Sequence, residues 1–160
     1  MNALPGAVQK YLNKSASKGP WLLAGEDRGG FAGAVVIPAL AEGASLFATL
    51  QSLANNPSQL LARFLVVIVI NHGEHACAAD RLQNEIDLAR LADLAERSEL
   101  CLAWVDAASP GRELPDKQAA VGFVRKLGMD LALTRLDWIE EPLLVCLDAD
   151  TLVEKKYLQS

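Results

Sequence analysis

The sequence predicts an α/β fold, a Rossmann-like parallel sheet with helices on both faces. From residue 34 onward, four short apolar segments alternate with three segments whose apolar residues recur at helical spacing. The apolar segments are rich in Val, Ile and Leu and lack polar alternation, which is typical of parallel strands buried on both faces. Regular alternation of strands and helices indicates parallel strands joined by helical crossovers.

The predicted strands are 34–37, 64–70, 100–105 and 143–147, and the predicted helices are 44–55, 80–97 and 116–136. Pro38 is expected to end the first strand, because proline lacks the N–H that a ladder needs. Asp80, with Gln83 three residues later, resembles a capping box at the start of the second helix. Asp116 is expected to cap the third helix, which contains Gly128 at a cost of about 1 kcal/mol relative to alanine.

The chain is expected to divide into two parts. Residues 1–33 are predicted to be a leader, with a short helix at 3–12 and a Trp21-Leu22-Leu23 segment that docks onto the domain. Residues 34–160 are predicted to form that domain. With 160 residues, of which 51% are hydrophobic, the chain is long enough for one real core.

Charge and composition argue against several classes of function. The net charge is −5 and no basic stripe with interleaved aromatics is present, so nucleic acid is not expected as a partner. The longest apolar run, Phe64–Ile70, is too short to cross a bilayer, so no membrane segment is expected. Three widely spaced cysteines and no signal-peptide pattern favour the reducing cytoplasm.

The functional residues should follow the four strands, because ligands of open parallel sheets bind outside the carboxyl ends of the strands. After the first strand, Pro38 and Ala39 lead into Glu42. Glu42 would cap the next helix or face a ligand hydroxyl. An ordinary strand-to-helix turn explains the same residues equally well.

After the second strand, Asn71 offers both a donor and an acceptor to the edge of a nucleobase. His72, His75 and Cys77 lie within six residues, and their ligand types suit zinc. A structural zinc site has four ligands, however, and the sequence has no second cluster of such residues. A polar loop that lines a pocket is therefore the favoured interpretation.

The loop after the third strand carries the cations nearest to this edge, Arg112 and Lys117. Either is able to pair with a diphosphate, although solvated surface charge is the more ordinary explanation for each residue alone. Arg125 and Lys126 lie two turns into the next helix and are less suited to this role.

The clearest chemical signal follows the fourth strand directly. Asp148 and Asp150 flank a small residue, Ala149, and close carboxylates repel, so stability does not explain the pair. A divalent cation removes this conflict, and hard oxygen ligands select Mg²⁺ or Mn²⁺. As a Lewis acid, such a metal stabilises a leaving diphosphate. A helix cap beside a surface acid is the alternative explanation.

Taken together, these segments resemble the family 2 glycosyltransferases, which have the GT-A fold. The resemblance covers residues 34 to 160 and rests on Ala34–Glu42, Val69–Gly73, Lys117–Gly128, and Asp148–Asp150 followed by Tyr157-Leu158. It implies an enzyme that binds a nucleoside-diphosphate sugar with Mn²⁺ or Mg²⁺ and transfers the sugar to an unspecified acceptor.

The same resemblance implies roles for individual residues. Asp150 would bind the metal, Asp148 would contact the ribose or the metal, and Ala39, Glu42 and the Asn71-His72 pair would surround the nucleoside. The family usually has an acid where this chain has Asn71 or His72. Its members continue past the Asp-x-Asp motif with the acceptor site and the catalytic base. The chain is therefore expected to be the N-terminal donor-binding portion, truncated after the motif.

Other classes fit the sequence less well. Haloacid-dehalogenase phosphatases carry their aspartate pair at the start of the domain, and dinucleotide-dependent dehydrogenases need a Gly-rich turn after the first strand. Nucleotidylyltransferases usually have a Gly-rich, basic loop at that place, whereas residues 38–43 contain one glycine. A non-catalytic nucleotide-binding or vestigial module of the same fold is the serious alternative.

Overall fold

A computed structural model describes residues 3–159, which form a five-stranded sheet with helices around it. The strands are β1 (Leu23–Gly25), β2 (Gly33–Ala39), β3 (Phe64–Asn71), β4 (Cys101–Ala107) and β5 (Leu143–Cys146). The α-helices are α1 (Gly6–Lys14), α2 (Ala44–Ala54), α3 (Ser58–Leu61), α4 (Ala78–Arg97) and α5 (Val121–Ala132). Short 3₁₀ turns cover Asp116–Gln118, Leu133–Arg135 and Tyr157–Gln159.

The strand order in the sheet is β1-β4-β3-β2-β5. The four predicted strands are confirmed, with small changes at their ends, and they run parallel to one another. β1 is an additional antiparallel strand that pairs Leu23 with Val105 of β4. It comes from the residues expected to form a leader, and three residues are too few for a periodic signal. The division of the chain into leader and domain stays a prediction.

The sheet separates two buried layers, so the predicted helices on both faces are confirmed. One layer packs α5 and α1 against the sheet and includes Val36, Val67, Val124 and Leu127. The other packs α2, α3 and α4 and includes Ile37, Ile68, Leu50 and Leu91. Successive residues of a strand point into opposite layers, and here both layers exclude water. This is why the strand sequences are continuous apolar runs.

Pro38 lies inside β2 rather than ending it, which corrects the sequence prediction. It is paired in register with Val69 of β3. The carbonyl of Val36 accepts a hydrogen bond from the N–H of Leu147. The backbone groups of every second residue of a strand face the same neighbour, so position 38, like position 36, faces the β5 side. β5 ends at Cys146, and therefore no neighbouring strand needs the N–H that Pro38 lacks.

Both predicted helix caps are wrong. Cys77 is the N-cap of α4, and Asp80 already lies in its first turn. Asp116 begins a single 3₁₀ turn, whereas α5 begins at Val121, so the predicted long helix is one α-helix between two short turns. The Asp116 carboxylate lies 2.8 Å from Nδ1 of His75 instead of capping a helix.

Gly128 lies where α5 comes closest to the sheet. A Cβ at this position would collide with Cγ1 of Val36 and Cγ2 of Val69. Glycine therefore allows the helix backbone to approach the two central strands. This close packing explains a residue that reduces helix propensity by about 1 kcal/mol relative to alanine.

None of the helices that the structure describes is long and apolar enough to cross a membrane. The three cysteines are free, with Cys77 exposed and Cys101 buried. The expected cytoplasmic location stays a prediction.

Candidate functional site

The strand order changes direction at β2. From β2 the chain continues to β3 and β4 on one side, whereas β5 lies on the other side of β2. Loops that leave neighbouring strands at such a switch point diverge and leave a crevice between them. The loop after β2 contains Glu42, and Asp148 and Asp150 follow β5. We call the site between these three residues the carboxylate crevice. Pro38 and Ala39 lie at the end of β2, directly before the loop that contains Glu42.

Ala149 anchors the motif after β5. Its side chain is 3% exposed and packs in the core layer that contains α2. Its carbonyl accepts a 2.6 Å hydrogen bond from Oγ1 of Thr49, which is buried on α2. Asp148 and Asp150 are both exposed on either side of this anchor. A small buried residue between them therefore explains the Asp-x-Asp spacing physically.

Arg125 of α5 is the cation that contacts the motif. Its Nη2 donates to Oδ1 of Asp148 at 2.8 Å, and its Nε is buried without a hydrogen-bond partner among the described residues. The sequence favoured Arg112 and Lys117 instead. Arg112 lies 3.6 Å from Asp106, and Lys117 is exposed in the 3₁₀ turn after β4. A contact between Lys117 and a diphosphate stays a prediction.

Glu42 is half-buried and lies close enough to both aspartates of the motif to interact with their charges. Burial raises the pKa of its carboxyl above the ordinary value, and the charges of Asp150, Asp87 and Asp148 raise it further. The crevice thus holds several mutually repelling carboxylates, and Arg125 compensates them only in part. A bound cation would relieve this repulsion.

Helix α4 holds the loop after β2 through two buried side chains. Oδ1 of Asn84 accepts from the N–H of Ala41 at 2.8 Å, and Oδ2 of Asp87 accepts from the N–H of Gly43 at 3.0 Å. Ala41 has a φ of 52°, which is uncommon for a residue with a side chain. Such backbone strain persists only where surrounding contacts hold it.

The sequence reasoning missed Asn84 and Asp87. Both are fully buried, on the same side of α4 as the core residue Leu91. Two short polar residues at helical spacing with a core leucine are the signal that would have identified them. Their contact with the loop after β2 could not be read in this way, since it depends on how α4 crosses the sheet.

Asn71 and His72 are buried at the end of β3. The amide nitrogen of Asn71 donates to the carbonyls of Ala39 and Val69, each at 3.1 Å. The amide nitrogen of Asn84 donates to the carbonyl of Asn71 at 3.0 Å and lies 2.9 Å from Nδ1 of His72. These bonds join the ends of β2 and β3 to α4. Contact of either residue with a nucleoside stays a prediction.

His72 borders a cavity of about 320 Å³ that is also lined by Arg81 and Ser109. Burial lowers the pKa of its imidazole, and the positive charge of Arg81 lowers it further. His72 is therefore neutral near pH 7 and presents one donor and one acceptor nitrogen.

A larger groove, of about 500 Å³, lies between α1 and α5. Its lining is mostly apolar and includes Val8, Met129 and Leu144. Arg125 lines this groove and also bonds to Asp148, so one side chain contacts both the groove and the carboxylate crevice.

No known protein family matches the chain, and no curated protein matches it either. Among solved structures, the chain is similar to the crystal structure of TarS 1-349 from S. aureus, with a TM-score of 0.42 and 18% sequence identity. The match covers 79% of this chain and 29% of that chain. A likeness this weak carries no functional argument.

Proposed function

We propose that this chain is the donor-binding portion of an enzyme similar to family 2 glycosyltransferases. It binds a nucleoside-diphosphate sugar, together with Mn²⁺ or Mg²⁺, in the carboxylate crevice. The observation that carries the proposal is the convergence of Asp148 and Asp150 with Glu42 at the switch point between β2 and β5. Their repulsion favours a cation, and an exposed pair of carboxylates offers the oxygen ligands that these metals select.

In this proposal Asp150 ligates the metal, and Asp148 binds the metal or the ribose while Arg125 orients its carboxylate. The metal supplies Lewis-acid stabilisation of the leaving diphosphate. The first turn of α2 begins at the same loop, and its N–H groups attract phosphate oxygens. Lys117 adds a second cation for the diphosphate.

The nucleoside lies across the ends of β2 and β3 in this proposal. Pro38 and Ala39 form the surface beneath it, and Glu42 accepts a hydrogen bond from a ribose hydroxyl. Asn71 and His72 border the base. Their buried bonds to β2 and α4 make that surface rigid before a ligand binds, which lowers the entropy lost on binding.

A module that binds the same ligand without transferring the sugar is the second candidate. In this candidate the described residues of the crevice bind the metal and the diphosphate, and none of them acts as a catalytic base. The acceptor of the sugar belongs to the transferase proposal alone.

Isothermal titration with a panel of nucleoside diphosphates and their sugar conjugates, with and without Mn²⁺, tests the proposal. At least one ligand should bind only with the metal, and Asp150→Asn should weaken that binding about tenfold or more. Asp27→Asn is the matched control, because Asp27 is an exposed acid in the loop before β2, at the other end of the sheet. Undiminished binding by an Asp148→Asn/Asp150→Asn double variant would overturn the metal assignment.

A further inference from the structure

We infer that Glu74, His75 and Asp116 form a binding site for a divalent metal ion such as Zn²⁺, separate from the carboxylate crevice. Glu74 and His75 follow β3, and Asp116 lies beyond β4, whereas the crevice lies on the β5 side of β2. This inference does not depend on the proposed sugar-donor function.

The three side chains already lie within reach of a single ion. One ligand atom from each lies within 4.8 Å of the others, and Nδ1 of His75 is 2.8 Å from Oδ2 of Asp116. Ligands bonded to one zinc ion at about 2.0–2.2 Å are roughly 3–4 Å apart. Small rotations of exposed side chains are therefore enough to close the set around a metal.

Backbone pairing brings the two loops together. Gly73 and Leu114 form a parallel bridge beyond the ends of β3 and β4, and the N–H of Leu114 donates to the carbonyl of His72 at 3.0 Å. A Cβ at Gly73 would lie 3.1 Å from the Cβ of Ala119, so the small residue permits this close approach. The sheet, rather than a free loop, thus sets the distance between the ligands on either side.

The chemistry of the set selects the metal. One imidazole nitrogen and two carboxylate oxygens are ligands that zinc accepts, with water completing the coordination. The sequence grouped His75 with His72 and Cys77, and the structure changes this grouping. His72 is 2% exposed and lies 2.9 Å from the amide nitrogen of Asn84, and Cys77 is not a member of the cluster.

A metal at this position would cross-link the loops after β3 and β4. It would thereby fix the Gly73–Leu114 bridge, next to the buried His72. Binding to the folded state alone raises the free energy of unfolding with increasing metal concentration. A metal bound at this site would thus stabilise the sheet at the carboxyl ends of β3 and β4.

The test is a titration of Zn²⁺ into the full chain carrying Asp148→Asn and Asp150→Asn, which removes the carboxylate crevice as a competing site. We expect saturable binding of about one ion per chain. His75→Ala should weaken it roughly tenfold or more, and Asp116→Asn should weaken it similarly. The side chains of His75 and Asp116 are 82% and 61% exposed, so these variants keep the core intact.

Two further measurements separate this site from other sources of zinc binding. In this background Cys77→Ser should leave the affinity unchanged. Zn²⁺ should raise the melting temperature of the Asp148→Asn/Asp150→Asn chain but not that of the same chain carrying His75→Ala. The inference is overturned if the Kd for Zn²⁺ exceeds about 1 mM, a value that corresponds to a binding free energy of only about −4 kcal/mol. Full affinity in His75→Ala, or loss of affinity in Cys77→Ser, also overturns it.

Discussion

Two aspartates connected to helix α5 differ in how their charge is compensated. Asp130 is 5% exposed. Its carboxylate accepts hydrogen bonds from Tyr11, from the backbone and side chain of Ser17, and from Lys126. Asp148 has a side chain that is 63% exposed, and among the described residues its carboxylate is bonded by Arg125. The first carboxylate is buried in a network of hydrogen bonds that supports the fold, whereas the second leaves its oxygen atoms largely exposed to solvent.

The pKa shifts in the two regions have opposite signs. Burial acts to raise the pKa of Asp130, but the hydrogen bonds from its three partners outweigh it and hold the pKa below the ordinary value. In the crevice, burial and neighbouring acids raise the pKa of Glu42. At neutral pH, therefore, ionised Asp130 stabilises the fold and ionised Glu42 destabilises it. Carboxylate repulsion in the crevice therefore opposes folding at neutral pH.

The largest effect is expected from Asp130→Ala. It should lower the free energy of unfolding by about 2–4 kcal/mol, because Tyr11, Ser17 and Lys126 lose their common acceptor. Urea denaturation at pH 7 measures the change. Asp148→Ala is the matched control and should change stability by less than about 1 kcal/mol, since its ion pair is exposed. Equal losses in the two variants would contradict the comparison.

The stabilisation that Asp130 gives to the parent chain is also expected to depend on pH. A lowered pKa means that the contribution of Asp130 is fully present above the ordinary value of 3.8 and is lost as the pH falls through the lower folded value. The stability difference between the parent chain and Asp130→Ala should therefore shrink below that pH. A constant difference from pH 6 to pH 2.5 would show that ionisation of Asp130 does not carry the effect.

Gly128→Ala should have an effect of intermediate size on the free energy of unfolding. The added Cβ meets Val36 and Val69 and pushes α5 from the sheet, which should destabilise the fold by about 1–3 kcal/mol. Gly122→Ala, in the same helix, meets nothing within 4 Å and should instead stabilise it by about 0.5–1 kcal/mol. Chemical denaturation of both variants gives the sign. Stabilisation by both would refute the close packing of α5.

The smallest effect is expected from Glu42→Gln, and it has the opposite sign to Asp130→Ala. Because the pKa of Glu42 is raised, its favourable contribution is present below the ordinary value of 4.5 and is lost as the pH rises through the folded value. The variant should be more stable than the parent by about 0.5 kcal/mol at pH 7.5 and equally stable at pH 4.

Thermal unfolding at the two pH values measures this difference. Glu96→Gln is the control, because Glu96 is an exposed acid of α4, far along the helix from Asn84 and Asp87. A gain of the same size in both variants would indicate a general charge effect rather than repulsion in the crevice.

The parts of the fold that depend on local pattern could be predicted from the sequence. The strand runs and the Asp148–Asp150 pair are local, and in the structure one residue, Leu147, separates the end of β5 from this pair. The roles of Arg125, Asn84 and Asp87 could not be predicted, because each acts across a distance set by how a helix crosses the sheet. Pro38 was misjudged for the same reason, since its tolerance depends on where a neighbouring strand ends.

The pairing of β2 with β5 has a consequence for folding. Val36 lies opposite Cys146, so this pairing joins residues separated by most of the chain. Contacts of such long range carry a high loop-closure entropy and slow the folding of a domain. Since Glu42 follows one of these strands and Asp148 the other, the crevice exists only once they have paired. A ligand that needs both sides of the crevice would therefore bind only after β2 and β5 have paired, and its uptake during refolding would report that pairing.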